Sequence, residues 1–336
     1  MNKKERIEFN KHIGRIQRRA RQEIKLNNCL LCGTAQSSFC NSHSVPRFTI
    51  SYIAKEGKIL TQEVLYNDNA KEKGVNSVWT FQNICRSCDS FFFSEYENEK
   101  NLVTEPTTKL LAQIALKSDL MMFNKYLFDK AVHSDNEFNK RIIGVNLKIE
   151  EDELNVRDVM WSLKRNKKII EKNLKSGYVL VLHKILDYTV PIAFQSSLFL
   201  YKSIDDKTII NDVNDYSEKI IMKPIYLCVF PLQGKTAIYL FHHRDDRNYI
   251  PFDRQFAKLS FDDKLQYINY LIFKCTEHCI FSPEIDKSVL KNTNLKRLAK
   301  ESHDASSYFS TFNDLNTPYK LVTPEEIPNF LKMKLQ

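Results

Sequence analysis

The spacing of hydrophobic residues predicts a mostly solvated helix at the start of the chain. Within residues 1–27, isoleucines form only a sparse apolar stripe between charged positions, as in a helix with one narrow buried face. Short apolar runs follow at 48–53 and 59–66. Their β-branched residues predict two strands, joined by a turn at Glu56-Gly57.

The pattern then predicts two further helices. Residues 78–81 predict a strand, and 89–97 predict a helix with Asp89 or Ser90 as its N-cap. A second, long helix has Pro106 in its first turn, where proline is favoured. Its apolar positions predict that it is largely buried and that it runs to about residue 132.

The remainder of the chain predicts a sheet and a capped helix. Gln233-Gly234 predicts a hairpin turn, and Ser260 with Asp263 predicts a capping box before a helix. The four predicted strands of this region are 178–184, 191–201, 225–230 and 237–242. The whole pattern predicts an α+β protein with two parts, residues 1–103 and residues 104–336.

Composition excludes several classes of protein. The chain has 336 residues, of which 43% are hydrophobic and 12% aromatic, so disorder is not expected. It has only 7 glycines and no glycine-rich phosphate-binding motif. The basic first residues lack the apolar core of a signal peptide, and the longest apolar runs have only strand length. We therefore expect a cytoplasmic protein without a membrane partner, whose cysteines are kept reduced.

Four of the eight cysteines form two Cys-x-x-Cys pairs, Cys29 with Cys32 and Cys85 with Cys88. Two thiols at this spacing fit one edge of a zinc tetrahedron, and a second pair completes a four-thiolate site. The sequence therefore predicts a structural Zn²⁺ ion. The alternatives are that these cysteines are buried apolar residues, or that Cys40 replaces one ligand.

Positive charge is concentrated at the start of the chain. The net charge is +9, and residues 1–25 hold nine basic residues against three glutamates. A basic helix of this kind can bind a phosphate backbone by releasing counterions; the alternative is a solvated, charged helix. The predicted nucleic-acid-binding residues are Arg15, Arg18, Arg19 and Arg21 on this helix, and Arg47 and Arg86 beside the cysteine pairs.

Two short motifs within residues 29–97 carry a resemblance to a known family. Ser42-His43-Ser44-Val45-Pro46 lies between the cysteine pairs, and Ile84-Cys85-Arg86-Ser87-Cys88-Asp89 opens the predicted helix. These strings resemble the His-x-x-Pro and Cys-x-x-Cys-[Asn/His/Asp] strings of HNH-type endonucleases. The resemblance implies a treble-clef or ββα-metal module and covers less than a third of the chain.

The resemblance also implies a mechanism and roles for particular residues. His43 would be the general base of phosphodiester hydrolysis, and Mg²⁺ or Mn²⁺ would be the catalytic cation, because thiolates are poor ligands for such ions. Asp89 stands where the family places a metal-binding residue, and Asn83 is the candidate residue that orients the base. Glu95 and Glu97 could supply further oxygen ligands.

Two function classes stay open at this point. In the first, the protein is a metal-dependent nuclease acting on DNA or RNA, with DNA as the favoured partner. The fusion of such a module to another domain resembles effectors of bacterial restriction and anti-phage systems, and by this analogy the nuclease would be such an effector. In the second, the module is a non-catalytic, zinc-stabilised platform for nucleic acid or protein. Ser42, which stands where the family usually has an acid, favours this second class. A protein partner or a homo-oligomer fits both.

Overall fold

Helices and strands alternate along the chain in a mixed α+β fold. The computed structural model describes residues 3–136, 145–215, 217, 219–306 and 321–335. The helices are α1 (Lys3–Glu23), α2 (Arg47–Ile53), α3 (Arg86–Phe93), α4 (Thr108–His133), α5 (Val145–Glu171), α6 (Ile250–Lys258), α7 (Phe261–Cys275) and α8 (Thr293–Ser306). The strands are β1 (Ser42–His43), β2 (Lys58–Thr61), β3 (Lys73–Gly74), β4 (Thr80–Phe81), β5 (Tyr178–Leu186), β6 (Ile192–Leu198), β7 (Ile225–Leu232), β8 (Lys235–His243) and β9 (Ile280–Phe281).

Seven strands form one antiparallel sheet in the order β3-β2-β9-β6-β7-β8-β5. The four strands predicted for the second part of the chain are all present, with ends shifted by a few residues. The predicted hairpin turn joins β7 to β8, and Gly234 has a φ of +66° there, a conformation that suits glycine. A separate two-stranded sheet pairs β1 with β4.

Both faces of the large sheet are buried, as the alternation of side chains along β7 shows. Tyr226, Cys228 and Phe230 belong to a core shared with α3 and α4. Ile225, Leu227 and Val229 alternate with them and belong to a core shared with α6, α7 and α8. Since successive side chains of a strand point to opposite faces, the sheet lies between two layers of helices.

Helix α4 connects the cysteine region to the sheet. Its N-cap is Thr107, whose side chain accepts a hydrogen bond from the Leu110 N–H at 3.0 Å. The Gln195 side chain of β6 donates to the Ile114 carbonyl and to Ser118 Oγ, both at 3.1 Å. The predicted burial of this helix is confirmed, because residues 110–123 are all buried.

Three local predictions near the cysteines are wrong. The strand predicted over 59–66 ends at Thr61, and Gln62–Leu65 form a 3₁₀ helix. Residues 48–53 belong to helix α2 and are not a strand. Pro46 precedes this helix and its carbonyl accepts hydrogen bonds from Thr49, while Ile50 and Ile53 bury one helical face; this packing overrides the strand preference of the β-branched residues. The N-cap of α3 is Cys85, not Asp89 or Ser90, because the second cysteine pair itself begins the helix.

The sheet also crosses the predicted boundary between residues 103 and 104. Strand β2 pairs with β9, and the Tyr96 hydroxyl donates to Gln195 Oε1 at 2.5 Å. The two parts therefore share one sheet and one core. Among the described residues, no helix combines the length and apolar composition that crossing a bilayer requires.

Candidate metal centre and adjoining polar cluster

The thiols of Cys29, Cys32, Cys85 and Cys88 form one compact cluster. Their four Sγ atoms lie within 4.8 Å of one another, and Cys32 Sγ is 3.9 Å from Cys85 Sγ. Tetrahedral zinc with bonds of about 2.3 Å places its sulfur ligands about 3.8 Å apart. The cluster therefore has the donor atoms and the spacing to hold a metal ion such as zinc.

Backbone hydrogen bonds shape the first cysteine turn and link it to the second. The Gly33 N–H donates to the Cys29 carbonyl at 2.8 Å, and Gly33 adopts a φ of +73° that a side chain would strain. The Cys85 N–H donates to Cys29 Sγ at 3.3 Å. Such a bond stabilises negative charge on sulfur, as a thiolate ligand requires.

The thiols differ in their protonation when no cation is present. Hydrogen bonding to Thr34 lowers the pKa of Cys32 to about 6, whereas burial chiefly raises the pKa of Cys88. Four neighbouring thiolates repel one another, so a bound divalent cation is needed to keep all of them ionised.

Two strands and a helix surround this cluster. Strand β1 pairs with β4 through Ser42 opposite Phe81 and His43 opposite Thr80, and helix α3 follows β4 directly. The second cysteine pair lies at the start of α3, with Cys88 buried in its first turn. The strand pair thus holds Ser42 next to α3, where its hydroxyl bonds Asp89.

The His43 ring is fixed by one backbone contact. Its Nε2 lies 3.0 Å from the Val75 carbonyl oxygen. Because a carbonyl can only accept, Nε2 carries the proton and Nδ1 of the neutral ring keeps a lone pair. Burial lowers the pKa of His43, and the positive charges of Lys117 and Arg47 act in the same direction. The ring is therefore neutral near pH 7 and can accept a proton at Nδ1.

Asp89 is bonded on both carboxylate oxygens. Its Oδ1 accepts hydrogen bonds from Ser42 Oγ at 2.7 Å and from Lys117 Nζ at 2.9 Å, and Cys40 Sγ lies 3.7 Å from Oδ2. Burial alone would raise the pKa of Asp89, but Lys117 and Ser42 outweigh it and hold the pKa below its ordinary value. Asp89 is therefore an anion with its counter-ion in place.

Lys117 is the residue of this cluster that the sequence patterns did not reveal. Its side chain is 1% exposed, contacts Glu97 at 3.3 Å and lies 4.0 Å from the centre of the Phe93 ring. It comes from α4, three residues after the buried Ile114, so it lies on the buried face of that helix. A lysine at an apolar position of the helical pattern was the available signal.

The other predicted catalytic residues make different contacts. Asn83 is 2% exposed, and its Nδ2 donates to the Leu120 carbonyl at 3.1 Å; the observed partner of His43 is Val75 instead. Glu95 bonds Lys109 at 2.9 Å, outside the His43 cluster. Cys40 contacts Asp89 and is not part of the thiol cluster.

The predicted nucleic-acid-binding arginines are all exposed, but they are not equivalent. Arg19 makes a two-point ion pair with Asp135, at 2.7 and 2.9 Å, and Arg21 lies over the Phe128 ring at 5.6 Å. Both help to dock α1 on α4. The other four are Arg15 and Arg18 on α1, Arg47 on α2 and Arg86 on α3.

Comparisons of the chain with protein-family models, with curated proteins and with solved structures found no match. The site consists of a four-cysteine cluster able to hold a metal, the neutral His43 on strand β1, and the ion-paired Asp89 in the first part of α3.

Proposed function

We propose that residues 29–97 form a zinc-stabilised, treble-clef module of the HNH type that hydrolyses phosphodiester bonds of DNA. The observation that supports this most is the orientation of His43. His43 Nε2–H donates to the Val75 carbonyl oxygen, with 3.0 Å between nitrogen and oxygen. This bond leaves Nδ1 as the proton acceptor, and burial favours the neutral ring. These are the properties of a general base at neutral pH.

In this proposal His43 takes a proton from an attacking water molecule. The water oxygen forms the new bond to phosphorus while the bond to the leaving oxygen breaks. The leaving oxygen takes up a proton from solvent water, and the imidazolium releases its proton to solvent. Arg47 is exposed and close enough to affect the charge of His43, so we assign it a contact to the substrate phosphate. The thiol cluster has a structural role, because thiolates do not suit a hard catalytic cation.

A catalytic Mg²⁺ or Mn²⁺ at Asp89 must compete with Lys117. A divalent ion about 4 Å from the ammonium meets a repulsion of about 8 kcal/mol at an effective dielectric constant of about 20. Binding of the cation at Asp89 therefore requires that Lys117 move away from Oδ1. We expect Lys117→Met to lower the Mg²⁺ concentration that supports half-maximal cleavage.

The test is the cleavage of supercoiled plasmid DNA and of RNA by zinc-loaded protein, with and without Mg²⁺ or Mn²⁺. We expect His43→Ala to keep its zinc and to lose about 100-fold to 10,000-fold of the cleavage rate. His243→Ala is the matched control, because His243 is also half-buried but lies in β8. Equal cleavage by the two variants would contradict the proposal.

A second candidate function is a non-catalytic, nucleic-acid-binding module. The ion pair between Lys117 and Asp89 favours it, because the carboxylate that a catalytic metal needs is already neutralised. In this case DNA binds to wild-type protein and to His43→Ala equally, and neither protein cuts it. Reversing Arg15 and Arg18 to glutamate reduces the salt dependence of binding, by about 0.9 in the log–log slope for each lost phosphate contact.

A further inference from the structure

A large cavity lies beside the C-terminal half of α4. Its volume is about 1220 Å³, and α4, α5, β6 and α7 all contribute to its wall. It is large enough for a small-molecule ligand. None of the residues assigned to the metal centre or to the His43 cluster lines it.

Two buried polar groups on the cavity wall have unused hydrogen-bonding capacity. Asp129 is 5% exposed, and Lys125 Nζ bonds its Oδ2 at 2.6 Å; among the described residues its Oδ1 has no hydrogen-bond partner. Ser197 on β6 is 3% exposed, and its Oγ also has no hydrogen-bond partner within the part of the chain that the structure describes. A buried polar atom without a partner is costly, so both atoms suit a ligand that donates hydrogen bonds.

The charge of the cavity wall indicates which sign of charge the ligand carries. Seven carboxylate side chains and four lysines are among the residues that line the cavity. Lys125 is paired with Asp129 Oδ2, and His133 with Asp152. An ammonium at Asp129 Oδ1 therefore competes with Lys125 for that carboxylate, and its attraction to the cavity depends on the other acids of the wall. This excess of carboxylates disfavours an anion such as a nucleotide and attracts a cation.

Tyrosine rings form another part of the wall and already accept cations. Lys274 lies 5.1 Å from the centre of the Tyr270 ring, and Lys202 lies 5.2 Å from that of Tyr201. Tyr126 and Tyr267 also line the cavity. Aromatic faces beside carboxylates are the usual surroundings of a bound organic ammonium group.

We propose that this cavity is a binding site for a small organic cation, whose N–H donors bond Asp129 Oδ1 and Ser197 Oγ while its apolar part packs against the tyrosines. The assignment rests on the cavity, the two unused acceptors and the excess of carboxylates. It does not depend on the proposed nuclease activity, so the two can fail separately.

The test is calorimetric titration of the full chain with three probes: tryptamine, spermidine and indole-3-acetate. Tryptamine and indole-3-acetate share an indole ring and differ in the sign of their charge. We expect the two amines to bind and the carboxylate not to bind. Asp129→Asn removes the charge and should weaken tryptamine binding about 10-fold to 100-fold, as loss of a charged hydrogen bond does.

Controls separate a lost contact from a lost fold. Ser197→Ala is a second variant with an expected loss of about 3-fold to 10-fold. Glu105→Gln is the matched charge control, since Glu105 is 87% exposed and lies outside the cavity. Three results would overturn the assignment: neither amine binds at millimolar concentration, indole-3-acetate binds as tightly as tryptamine, or both cavity variants bind tryptamine like wild type.

Discussion

Replacement of Lys117 by methionine tests how the polar cluster is held together. Methionine keeps the apolar stem beside Phe93 but removes the ammonium that bonds Asp89 at 2.9 Å and Glu97 at 3.3 Å. Asp89 then stays partly buried without its counter-ion. We expect the variant to fold and to be less stable than wild type.

The size of the loss follows from the exposure of each partner. Removing one member of a buried ion pair costs about 3–5 kcal/mol, whereas an exposed pair contributes about 0–1 kcal/mol. The Asp89 side chain is 23% exposed and the Glu97 side chain is 45% exposed. Water partly solvates Asp89 in the variant, so we expect a loss at the lower limit, about 3 kcal/mol in the free energy of unfolding.

Urea unfolding at pH 7 measures this loss. Lys109→Met is the matched control: Lys109 also pairs with a glutamate at 2.9 Å, but both side chains are 34% exposed, so the expected cost is below about 1 kcal/mol. Adding Asp89→Asn to Lys117→Met should recover part of the loss, because the uncompensated charge is gone. Equal, small losses for the two lysine variants would refute the reasoning.

The pH dependence of stability is a second test of the ion pair between Lys117 and Asp89. The folded-state pKa of Asp89 is below its ordinary value of 3.8, so the contribution of its charge is present above that value and is lost as the pH falls through the folded-state pKa. The difference in free energy of unfolding between wild type and Lys117→Met should therefore become smaller as the pH falls through that acidic range. A constant difference would contradict the assignment of the loss to Asp89.

Three further predictions concern the metal, the base and the packing. Cys85→Ser should lose zinc and unfold the module, and a folded variant with full zinc content by mass spectrometry would contradict the metal assignment. Cleavage should increase with pH through a midpoint below 6.5, because burial lowers the pKa of His43; a midpoint above 6.5 in the profile of kcat/KM would exclude His43 as the base. Tyr96→Phe leaves acceptors at Ser44 and Gln195 without their donor and should cost about 1–3 kcal/mol in urea unfolding; an unchanged midpoint would contradict this.

Regular patterns in the sequence predicted much of the second part of the fold. The turn at Gln233-Gly234 and the cap at Ser260 depend on local chemistry, and the structure confirms both. Residues 48–53 were predicted wrongly, because Pro46 and the burial of one face decide their helical conformation. Tertiary packing of this kind is not encoded in local residue preferences.

The candidate site was likewise predictable only in part. The spacing of the cysteines predicted the thiol cluster, since two knuckles can share one metal. The partners of His43 and Asp89 were not predictable, because Val75 lies 32 residues from His43 and Lys117 lies 28 residues from Asp89. Contacts over such separations depend on how α4 packs against the strand pair, which no short motif records.

Chemical rescue of His43→Ala tests the central claim most directly. The measurement is the single-turnover rate of plasmid cleavage by the zinc-loaded variant, with and without added imidazole. If His43 is the general base, the variant cuts slowly, and free imidazole restores part of the rate in proportion to its unprotonated fraction. Cleavage by His43→Ala at the wild-type rate, unaffected by imidazole, would contradict the account.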